Sequence, residues 1–401
     1  MNPLVPPPSV TADQVPFLGV PELLRMSMKG IDLTPLGMKL IEYAKVTPGA
    51  AEALLDIAVI FQLRQNAALA ATMMREALSL RRVYHQPGCV APVQLRVLAL
   101  FCDGDLMANT PVQFLVEGSP ICMDLCYLAA DDQALPELPA HDVLFVAVAE
   151  SEANRPLLAK LANWLANWPV PVLNSPAQIA RLSRDGVYDL LQDVQGVLIP
   201  PVRRLDRTSL LSWAGDASLT FPVLARPVDS HAGHGLEKLD DVSQLAAYLA
   251  THDGEAFFLT RYVDYSRADG QFRKYRIVLM RGEPHLCHLA VSRSWMVHYL
   301  NSDMLENAAN RAEEEAAMRD FRDGFARRHA QAFDAIYRKS GLDYVGIDCS
   351  EAPDGRLLVF EIDSNMIVHA MDPVDIFPYK PAHMQTVFHA FQDMLRHAVH
   401  G

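Results

Sequence analysis

The sequence predicts an α+β protein whose amino-terminal part is α/β and begins with a helical segment. Three patterns lead to this prediction. From residue 50 to 84 apolar residues recur at helical spacing, and between about 93 and 175 short apolar runs alternate with helices, as in an open, mainly parallel sheet. After residue 176 come several strands and two helices, near 307–340 and 382–399. We therefore expect a helical segment at 1–92, an α/β domain at 93–175, and an α+β part from residue 176 onward.

The helical segment has small and large residues at the packing positions of one tetratricopeptide-like hairpin. These are Ala58, Phe61, Ala70, Met74 and Ala77. A solenoid needs several stacked repeats, and the sequence contains a single copy. We therefore interpret residues 1–92 as a helical appendage or a dimer element, which makes a homodimer one candidate assembly.

Composition limits the classes of partner. Half of the residues are apolar, so the chain can bury a sizeable core, and the formal net charge is −13. Proteins that bind nucleic acid or anionic membranes usually present a basic surface, so this charge argues against both. It leaves room for a small anionic ligand in a local cationic pocket. We also expect no signal peptide and no membrane span, because the first residues have no basic leader and no long apolar stretch.

The cysteines are scattered among apolar stretches and form no CxxC pair. This usage is typical of reduced core cysteines in a cytosolic protein. We therefore expect a cytoplasmic protein in which all six are reduced, namely Cys89, Cys102, Cys122, Cys126, Cys287 and Cys349.

The most informative segment is a predicted β-hairpin between residues 343 and 363. Asp354-Gly355 separates two apolar runs and is a strong signal for a two-residue turn. Counting outward from that turn places Asp348 opposite Glu361, with Asp363 on the same side because strand side chains alternate. The opposite face is then apolar, with Val345, Ile347, Leu358, Phe360 and Ile362.

Carboxylates that face one another destabilise a sheet unless something compensates their charge. A hard cation with oxygen ligands would do so, which favours Mg²⁺ or Mn²⁺ over Zn²⁺. The alternative is a solvated acidic face on an edge hairpin, although the apolar opposite face argues for burial. An error of one residue in register would weaken the pairing of Asp348 with Glu361 but would keep Glu361 and Asp363 on one face.

A short apolar strand ending in Arg226 leads into a loop rich in small residues. The loop includes Ser230, His231, Gly233 and Gly235. Glycines let backbone N–H groups approach phosphate oxygens, and a serine adds a hydroxyl donor. Such a loop is structural more often than not, so by itself it is a weak signal. The HxxH pair that ends at His234 has no second ligand pair, which argues against a transition metal.

A dense band of positive charge lies between residues 261 and 293 of this acidic protein. Arg276 and Arg293 stand beside apolar strands and are the best candidates for binding phosphate or carboxylate through two hydrogen bonds. Trp295 follows and is predicted either to line a substrate pocket or to belong to the core.

Taken in order, these elements resemble the ATP-grasp superfamily of carboxylate–amine ligases, which includes D-alanine–D-alanine ligase, glutathione synthetase and the ribosomal-protein glutamate ligases. The resemblance covers roughly residues 176–375. It implies an ATP-grasp fold, in which two α+β subdomains clasp ATP. Residues 176–262 would be the lid subdomain, and residues 263–401 would be the second subdomain with the metal site. An α/β domain would precede the two.

The resemblance also implies roles for individual residues. It assigns ATP binding to Arg184, Arg226, Ser230, His231, Gly233, Gly235, Tyr262, Val263 and Asp264, with Asp264 on the ribose. It assigns phosphate contact to Arg276, and we expect Arg293 to hold the acceptor carboxylate or the acyl phosphate. It assigns a Mg²⁺ or Mn²⁺ site to Asp348, Glu361 and Asp363.

The sequence departs from the family pattern at three points. Arg184 and Arg226 stand where the family has lysines, which keeps the charge but changes the geometry. Asp363 replaces the final metal-binding asparagine, although Asn365 follows two residues later. The Pro-Gly after the metal ligands is absent, and because this region shapes the acceptor site, the departure obscures the substrate.

The resemblance implies a ligase in which ATP phosphorylates a substrate carboxylate and an amine attacks the resulting acyl phosphate. The expected partners are a small-molecule or peptide carboxylate and an amine. Two other functions stay open. One is a catalytically inactive protein that binds a nucleotide or a protein partner, which the two arginine replacements would allow. The other is a metal-dependent phosphohydrolase, which would leave the glycine loop unexplained.

Overall fold

The computed structural model describes residues 16–213, 220–228, 230, 233–298 and 302–400. The described chain opens with helices, as the apolar spacing predicts. They are α1 Gly19–Met28, α2 Thr34–Val46, α3 Ala51–Leu63 and α4 Ala67–Leu80. Asp56 on α3 is fully buried, and its carboxylate accepts hydrogen bonds from the N–H groups of Leu18 (2.8 Å) and Gly19 (2.9 Å). These two donors belong to the first turn of α1, so a side chain of α3 holds α1 in place.

A five-stranded sheet follows. Its strands are β1 Val83–His85, β2 Leu95–Cys102, β3 Ile121–Leu128, β4 Val143–Val146 and β5 Val172–Leu173, with α5 Gln113–Val116 and α6 Arg155–Trp164 between them. The strand order is β1-β3-β2-β4-β5, and all neighbours are parallel except β1 and β3. This confirms the predicted mainly parallel sheet. Strand β1 belongs to this sheet although it precedes residue 93, where the α/β domain is predicted to begin. The predicted domain boundaries themselves stay predictions.

The prediction that all six cysteines are reduced is wrong for two of them. Cys89 and Cys122 form a disulfide with a Cα–Cα distance of 5.1 Å, and the other four are free and buried. Strand β1 pairs antiparallel with β3, which places the loop after β1 beside the start of β3. Because β1 lies in a segment predicted to be helical, no pattern in the sequence predicts that Cys89 meets Cys122.

The next part of the chain forms a small antiparallel sheet of four strands in the order β7-β10-β8-β9. They are β7 Val202–Asp206, β8 Val223–Pro227, β9 Glu237–Leu239 and β10 Ala256–Arg261. The helices of this part are α7 Pro176–Ile179, α8 Arg184–Leu191, α9 Arg207–Leu211 and α10 Val242–Thr251. Aromatic and aliphatic side chains, among them Phe257 and Tyr248, form a separate core here. We call this sheet the lid sheet.

A second five-stranded sheet, the body sheet, has the order β12-β11-β13-β14-β6. Its strands are β6 Val197–Leu198, β11 Phe272–Met280, β12 Glu283–Ser292, β13 Tyr344–Glu351 and β14 Leu357–Asp363. All neighbours are antiparallel except β14 and β6. The order of helices, parallel sheet and two α+β subdomains is the predicted one.

The long helix predicted near 307–340 is interrupted. It consists of α11 Ala308–Asp320, a π-helical turn Arg322–Ala326 and α12 Ala330–Ser340. Both ends are as the sequence predicts, because Asn307 caps the first N–H groups and Gly341, at φ +66°, ends α12. The chain closes with α13 Lys380–His400. None of the helices described is both long and apolar enough to cross a membrane.

The register of the β13–β14 hairpin confirms the predicted pairs, through two compensating deviations. Asp348 lies opposite Glu361, and Asp363 lies opposite Gly346. The loop, however, has three residues, Pro353 to Gly355, since Ala352 pairs with Arg356. Gly355 has φ +83°, as the third residue of such loops requires. A bulge between the Asp348 and Cys349 pairs then restores the predicted register.

The bulge changes which residues lie behind the carboxylates. Leu357 and Val359 pack into the main core with Ile347 and Ile362. Leu358 and Phe360, predicted on that apolar face, instead join a separate cluster with Tyr265 and Trp295. This part of the prediction is wrong because one extra residue in β14 reverses the alternation between the turn and the bulge.

Candidate active site

A cleft lies between the lid sheet and the body sheet. Its walls come from the start of α8, from β8 and the loop after it, from β14, and from the loop after β4 of the α/β domain. Side chains of opposite charge face it: Glu150, Glu152, Arg184, Glu361 and Asp363, with Ser230 at its rim. Four residues that the sequence proposes for ATP or metal binding are thus brought into one place, namely Arg184, Ser230, Glu361 and Asp363.

Asp348 lies at the bottom of a charged cluster beside this cleft and is 2% exposed. Strand β11 runs next to β13 and places Arg276 directly opposite Asp348. The guanidinium donates from Nε to Oδ1 (2.8 Å) and from Nη2 to Oδ2 (3.0 Å). Burial alone would raise the pKa of Asp348, but Arg276 and then Lys274 hold it well below its usual range. These two cations therefore stabilise the charged form of the carboxylate.

Lys274 is a residue that sequence reasoning missed. Its Nζ donates to Asp348 Oδ2 at 2.9 Å, and its side chain is 15% exposed. Lys274 and Arg276 are two positions apart on β11 and therefore share a face. That spacing was visible in the sequence, but it gained meaning only once β11 proved to be the neighbour of β13.

Glu361 is paired with the predicted ATP-binding residue Arg184. Its Oε2 accepts a hydrogen bond from Arg184 Nη2 at 2.5 Å. Burial alone would raise the pKa of Glu361, but the Arg184 guanidinium holds it below its ordinary value. Arg184 is the first residue of α8, and Ser183 caps that helix by accepting from the N–H of Gly186. The cap fixes the direction in which Arg184 leaves the helix.

Arg226 ends the apolar strand β8 and is 9% exposed. Its Nε donates to Ser230 Oγ at 3.0 Å, and its Nη2 donates to the carbonyl oxygen of Ser230. Burial and, to a smaller extent, the nearby Arg184 guanidinium lower the pKa of Arg226 to about 10. Because both acceptors are neutral, they do not compensate the positive charge of this buried guanidinium. The guanidinium can therefore bind an anion.

Of the three predicted metal ligands, Asp363 is the one without a cationic hydrogen-bond partner among the described residues. Its Oδ1 accepts from the N–H of Asn365 at 3.0 Å. Burial and the neighbouring Glu361 carboxylate raise the pKa of Asp363 to about 7. Asn365 is buried, and its Oδ1 has no hydrogen-bond partner in the described part of the chain. These oxygen donors have the chemistry that a hard cation prefers.

The predicted set of three metal ligands does not converge. Among residues 16–400 as described, no three His, Cys, Asp or Glu side chains lie close enough together to hold a metal ion. Asp348 is turned to Lys274 and Arg276 instead. Of the three carboxylates, Glu361 and Asp363 fit a divalent ion, and Asp348 does not.

The glycine loop is shaped by its backbone. Gly235 has φ +64°, and a Cβ on it would lie 2.7 Å from Pro227 Cδ, so glycine is required. Gly233 has φ +77° and lies beside Met296 of the body, so the loop approaches the segment after β12. His231, proposed for ATP binding, lies outside the described residues. His234 is described, but the other member of its HxxH pair is His231, so the pair lies partly outside the described residues.

Apolar and aromatic side chains cluster after the end of β10. The ring of Tyr262 meets Trp295 edge-on, with centroids 5.8 Å apart, and Lys238 Nζ lies 4.6 Å from the Tyr262 ring centroid. Val263 and Trp295 pack against the cluster that contains Leu358. Asp264 is exposed and accepts from the N–H of Ser266 at 2.9 Å, and the Ser266 hydrogen bonds lower its pKa.

Arg293 is not brought to the charged cluster. It is exposed after the end of β12, and it makes no hydrogen bond or ion pair with the described residues. Burial and then the positive charges of Lys274 and Arg276 lower the pKa of His298, which follows Arg293 in the chain.

Two acidic residues of the loop after β4, Glu150 and Glu152, form a wall of the cleft. Glu152 pairs with Arg204 of β7 at 2.7 Å and with Arg155 at 2.8 Å. This pair joins the α/β domain to the lid sheet. No local signal marks it, since the contact depends on how two domains pack.

No protein-family model matches the sequence, and no curated protein matches it. Solved structures similar to the chain include the VanG D-Ala:D-Ser ligase of Enterococcus faecalis (12% identity, TM-score 0.45), a RimK-domain ATP-grasp protein of Sphaerobacter thermophilus (15%, 0.42) and a D-alanine–D-alanine ligase of Bacillus anthracis complexed with ATP (12%, 0.43). They cover 76%, 76% and 77% of this chain, which in turn covers 99%, 100% and 99% of theirs. The chain is similar in outline to these proteins, at identities and TM-scores too low to name an activity.

Proposed function

We propose that this protein is an ATP-dependent carboxylate–amine ligase that forms an amide bond through an acyl phosphate. The observation that supports this most is the alternation of charge in and beside the cleft. Four cationic side chains, Arg184, Arg226, Lys274 and Arg276, are interleaved with three buried or half-buried carboxylates. A triphosphate needs such cations, and their ion pairs and hydrogen bonds hold them in place.

In the proposed reaction, an oxygen of the substrate carboxylate attacks the γ-phosphorus of ATP, and the bond from that phosphorus to the bridging oxygen of ADP breaks. The amine nitrogen then attacks the acyl carbon, inorganic phosphate leaves, and the nitrogen loses a proton to solvent. Arg226 and Arg276 would neutralise the oxygens of the transferred group, which is mostly a matter of positioning. The lid loop around Gly233 would exclude water from the acyl phosphate.

Glu361 and Asp363 would hold Mg²⁺ or Mn²⁺, for which Asn365 Oδ1 is a further oxygen donor. When bound, the ion supplies charge neutralisation at the phosphates. The apolar side chains of Tyr262, Val263 and Trp295 would contact the adenine ring, and Asp264 would take the ribose. We propose a carboxylate and an amine as the two substrates, with an amino acid or peptide as the first candidates.

Release of ADP tests this proposal. Pairs of carboxylic acids and amines are screened for ADP formation that requires both members, with the amide product identified by mass spectrometry. Glu361→Gln should lower the rate of ADP formation by roughly 10²-fold or more without lowering the melting temperature. The control is Glu351→Gln, which alters a carboxylate of the same hairpin that pairs with Arg328 outside the cleft.

Two results would contradict the ligase. Nucleotide binding without turnover for any acid and amine would favour the catalytically inactive alternative. Hydrolysis of phosphoesters in the absence of ATP would favour a metal-dependent phosphohydrolase.

A further inference from the structure

We infer that the ammonium group of Lys274 takes the place of a divalent ion at Asp348, so that the divalent cation of the site is confined to Glu361 and Asp363. This inference rests on the proposed function, because it concerns how the same site compensates the charge of ATP. It makes Lys274 a positioning residue that reduces the number of metal ions the chain binds with nucleotide.

The carboxylate of Asp348 is already occupied by cationic hydrogen-bond donors. Its carboxylate accepts three charge-assisted hydrogen bonds, from Lys274 Nζ at 2.9 Å, Arg276 Nε at 2.8 Å and Arg276 Nη2 at 3.0 Å. A carboxylate offers about four lone-pair sites, and this one is 2% exposed. Little of it is left for a metal ion, which would have to approach an oxygen to about 2.0–2.2 Å.

Lys274 and Arg276 would also repel a divalent ion at Asp348. A divalent ion on Asp348 would lie within a few ångströms of both the ammonium and the guanidinium group. At such distances like charges repel strongly in a half-buried site. The ion could bind only if Lys274 moved away, and the movement would leave a cation with 15% side-chain exposure without its partner.

The net charge of Asp348 with its two cations equals that of a carboxylate with a bound divalent ion. Two cations on one carboxylate give 2 − 1 = +1, which is the charge that a divalent ion on one carboxylate would give. Asp348 with Lys274 and Arg276 therefore presents the positive charge of a metal site to the cleft. Lys274 has three N–H donors, and Asp348 is its one hydrogen-bond partner among the described residues, so donors remain for a phosphate oxygen.

The other end of the hairpin has the opposite balance. Glu361 has one cationic partner, Arg184, and Asp363 has an N–H donor from Asn365. Two carboxylates thus share one cation within the described residues, and the deficit leaves room for a divalent ion. The same strand pair therefore contains a compensated position and an uncompensated one.

The experiment counts Mn²⁺ ions rather than turnover. The full chain is saturated with the non-hydrolysable analogue AMP-PNP, and bound Mn²⁺ per bound nucleotide is measured by electron paramagnetic resonance. We expect one Mn²⁺ for the wild-type protein. Lys274→Met should bind a second Mn²⁺, with an affinity raised roughly tenfold or more over any second site of the wild type, because a positive charge is removed.

Two variants separate this effect from damage to the fold. Lys274→Arg keeps a cation on Asp348 and should still bind one Mn²⁺. Lys339→Met, which removes an exposed lysine on α12, should leave the count unchanged. Lys274→Met should fold because Arg276 still pairs with Asp348 through two hydrogen bonds.

The outcomes are distinguishable. Two Mn²⁺ ions per nucleotide in the wild-type protein would overturn the inference whatever the variants do, while the proposed ligase would stand. A count of one in folded Lys274→Met would also overturn it. Failure of the wild-type protein to bind AMP-PNP at all would overturn the proposed function, and the inference with it.

Discussion

Two buried aspartates, one in the amino-terminal helices and one beside the cleft, are compensated in opposite ways. Asp56 is fully buried and is held by two backbone N–H groups, and burial raises its pKa to about 7. Asp348 is almost as buried and is held by two cationic side chains, which keep its pKa well below the usual range. Burial is the same in both cases, so the partners decide the charge.

The difference indicates what each region is for. Backbone donors are enough to dock a helix, and the charge of Asp56 can be lost near neutral pH without loss of its hydrogen-bonding oxygens. A buried ion pair adds little stability over apolar residues of the same shape. Stability of the sheet therefore does not account for the cluster at Asp348, whereas the proposed binding of an anionic ligand would.

The largest expected effect comes from removing the charge at Asp348. Asp348→Asn would leave Lys274 and Arg276 without their shared anion, at 15% and 22% side-chain exposure. Breaking one side of a buried charge cluster typically costs about 3–5 kcal/mol of unfolding free energy. Denaturant unfolding at pH 7 measures it.

The control is Asp320→Asn, which removes a carboxylate of a surface pair with Arg319 and should cause no measurable change. Equal losses from Asp348→Asn and Asp320→Asn would contradict the contrast between the two buried aspartates, because Asp348 would then behave as a surface group.

The sequence was sufficient for the carboxylates and insufficient for their partners. Alternation along β14 and the turn signal at Asp354-Gly355 placed Asp348 opposite Glu361, as found. The count from the turn was one residue off within the hairpin, and the bulge cancelled the error. Local rules determine the spacing of strand pairs, whereas a bulge reflects packing against the rest of the sheet.

Contacts between distant segments could not be predicted. Lys274 meets Asp348 because β11 is the neighbour of β13, and Cys89 meets Cys122 because β1 joins the sheet at β3. Neither adjacency leaves a local pattern. Arg184 and Arg226 were found only through the family resemblance, since a single basic residue before a helix or at a strand end carries no signal of its own.

The second prediction concerns pH. The pKa of Asp56 is about 7 in the folded protein and about 3.9 in an unfolded chain. The folded state therefore binds more protons than the unfolded state between these values, so the contribution of Asp56 to stability is present below pH 4 and is lost as pH rises through 7. Asp56→Asn abolishes this loss.

Urea unfolding of the wild type and of Asp56→Asn at pH 5 and pH 8 measures the difference. The quantity compared is the unfolding free energy of the variant minus that of the wild type. We expect this difference to be about 2 kcal/mol larger at pH 8 than at pH 5. This is less than the full pKa shift of Asp56 would give, because the carboxylate also accepts hydrogen bonds. A difference that does not change with pH would show that Asp56, like Asp348, keeps its charge.

The smallest effect is expected at Ser230, which places a neutral partner beside a cation of the cleft. Ser230 Oγ accepts from Arg226 Nε at 3.0 Å and donates to the carbonyl oxygen of Pro227 at 2.8 Å. Ser230→Ala leaves a guanidinium N–H of a 9% exposed arginine unpaired, at a cost of about 1 kcal/mol. Affinity for ATP, measured by calorimetry, should fall by about fivefold, since Arg226 is no longer held in place.

The control is Ser212→Ala, which removes an exposed hydroxyl at the carboxyl end of α9 and should leave the affinity for ATP unchanged. If ATP affinity is the same in both variants, the carbonyl of Ser230 alone positions Arg226, and the cleft then depends on backbone acceptors as much as the Asp56 region depends on backbone donors.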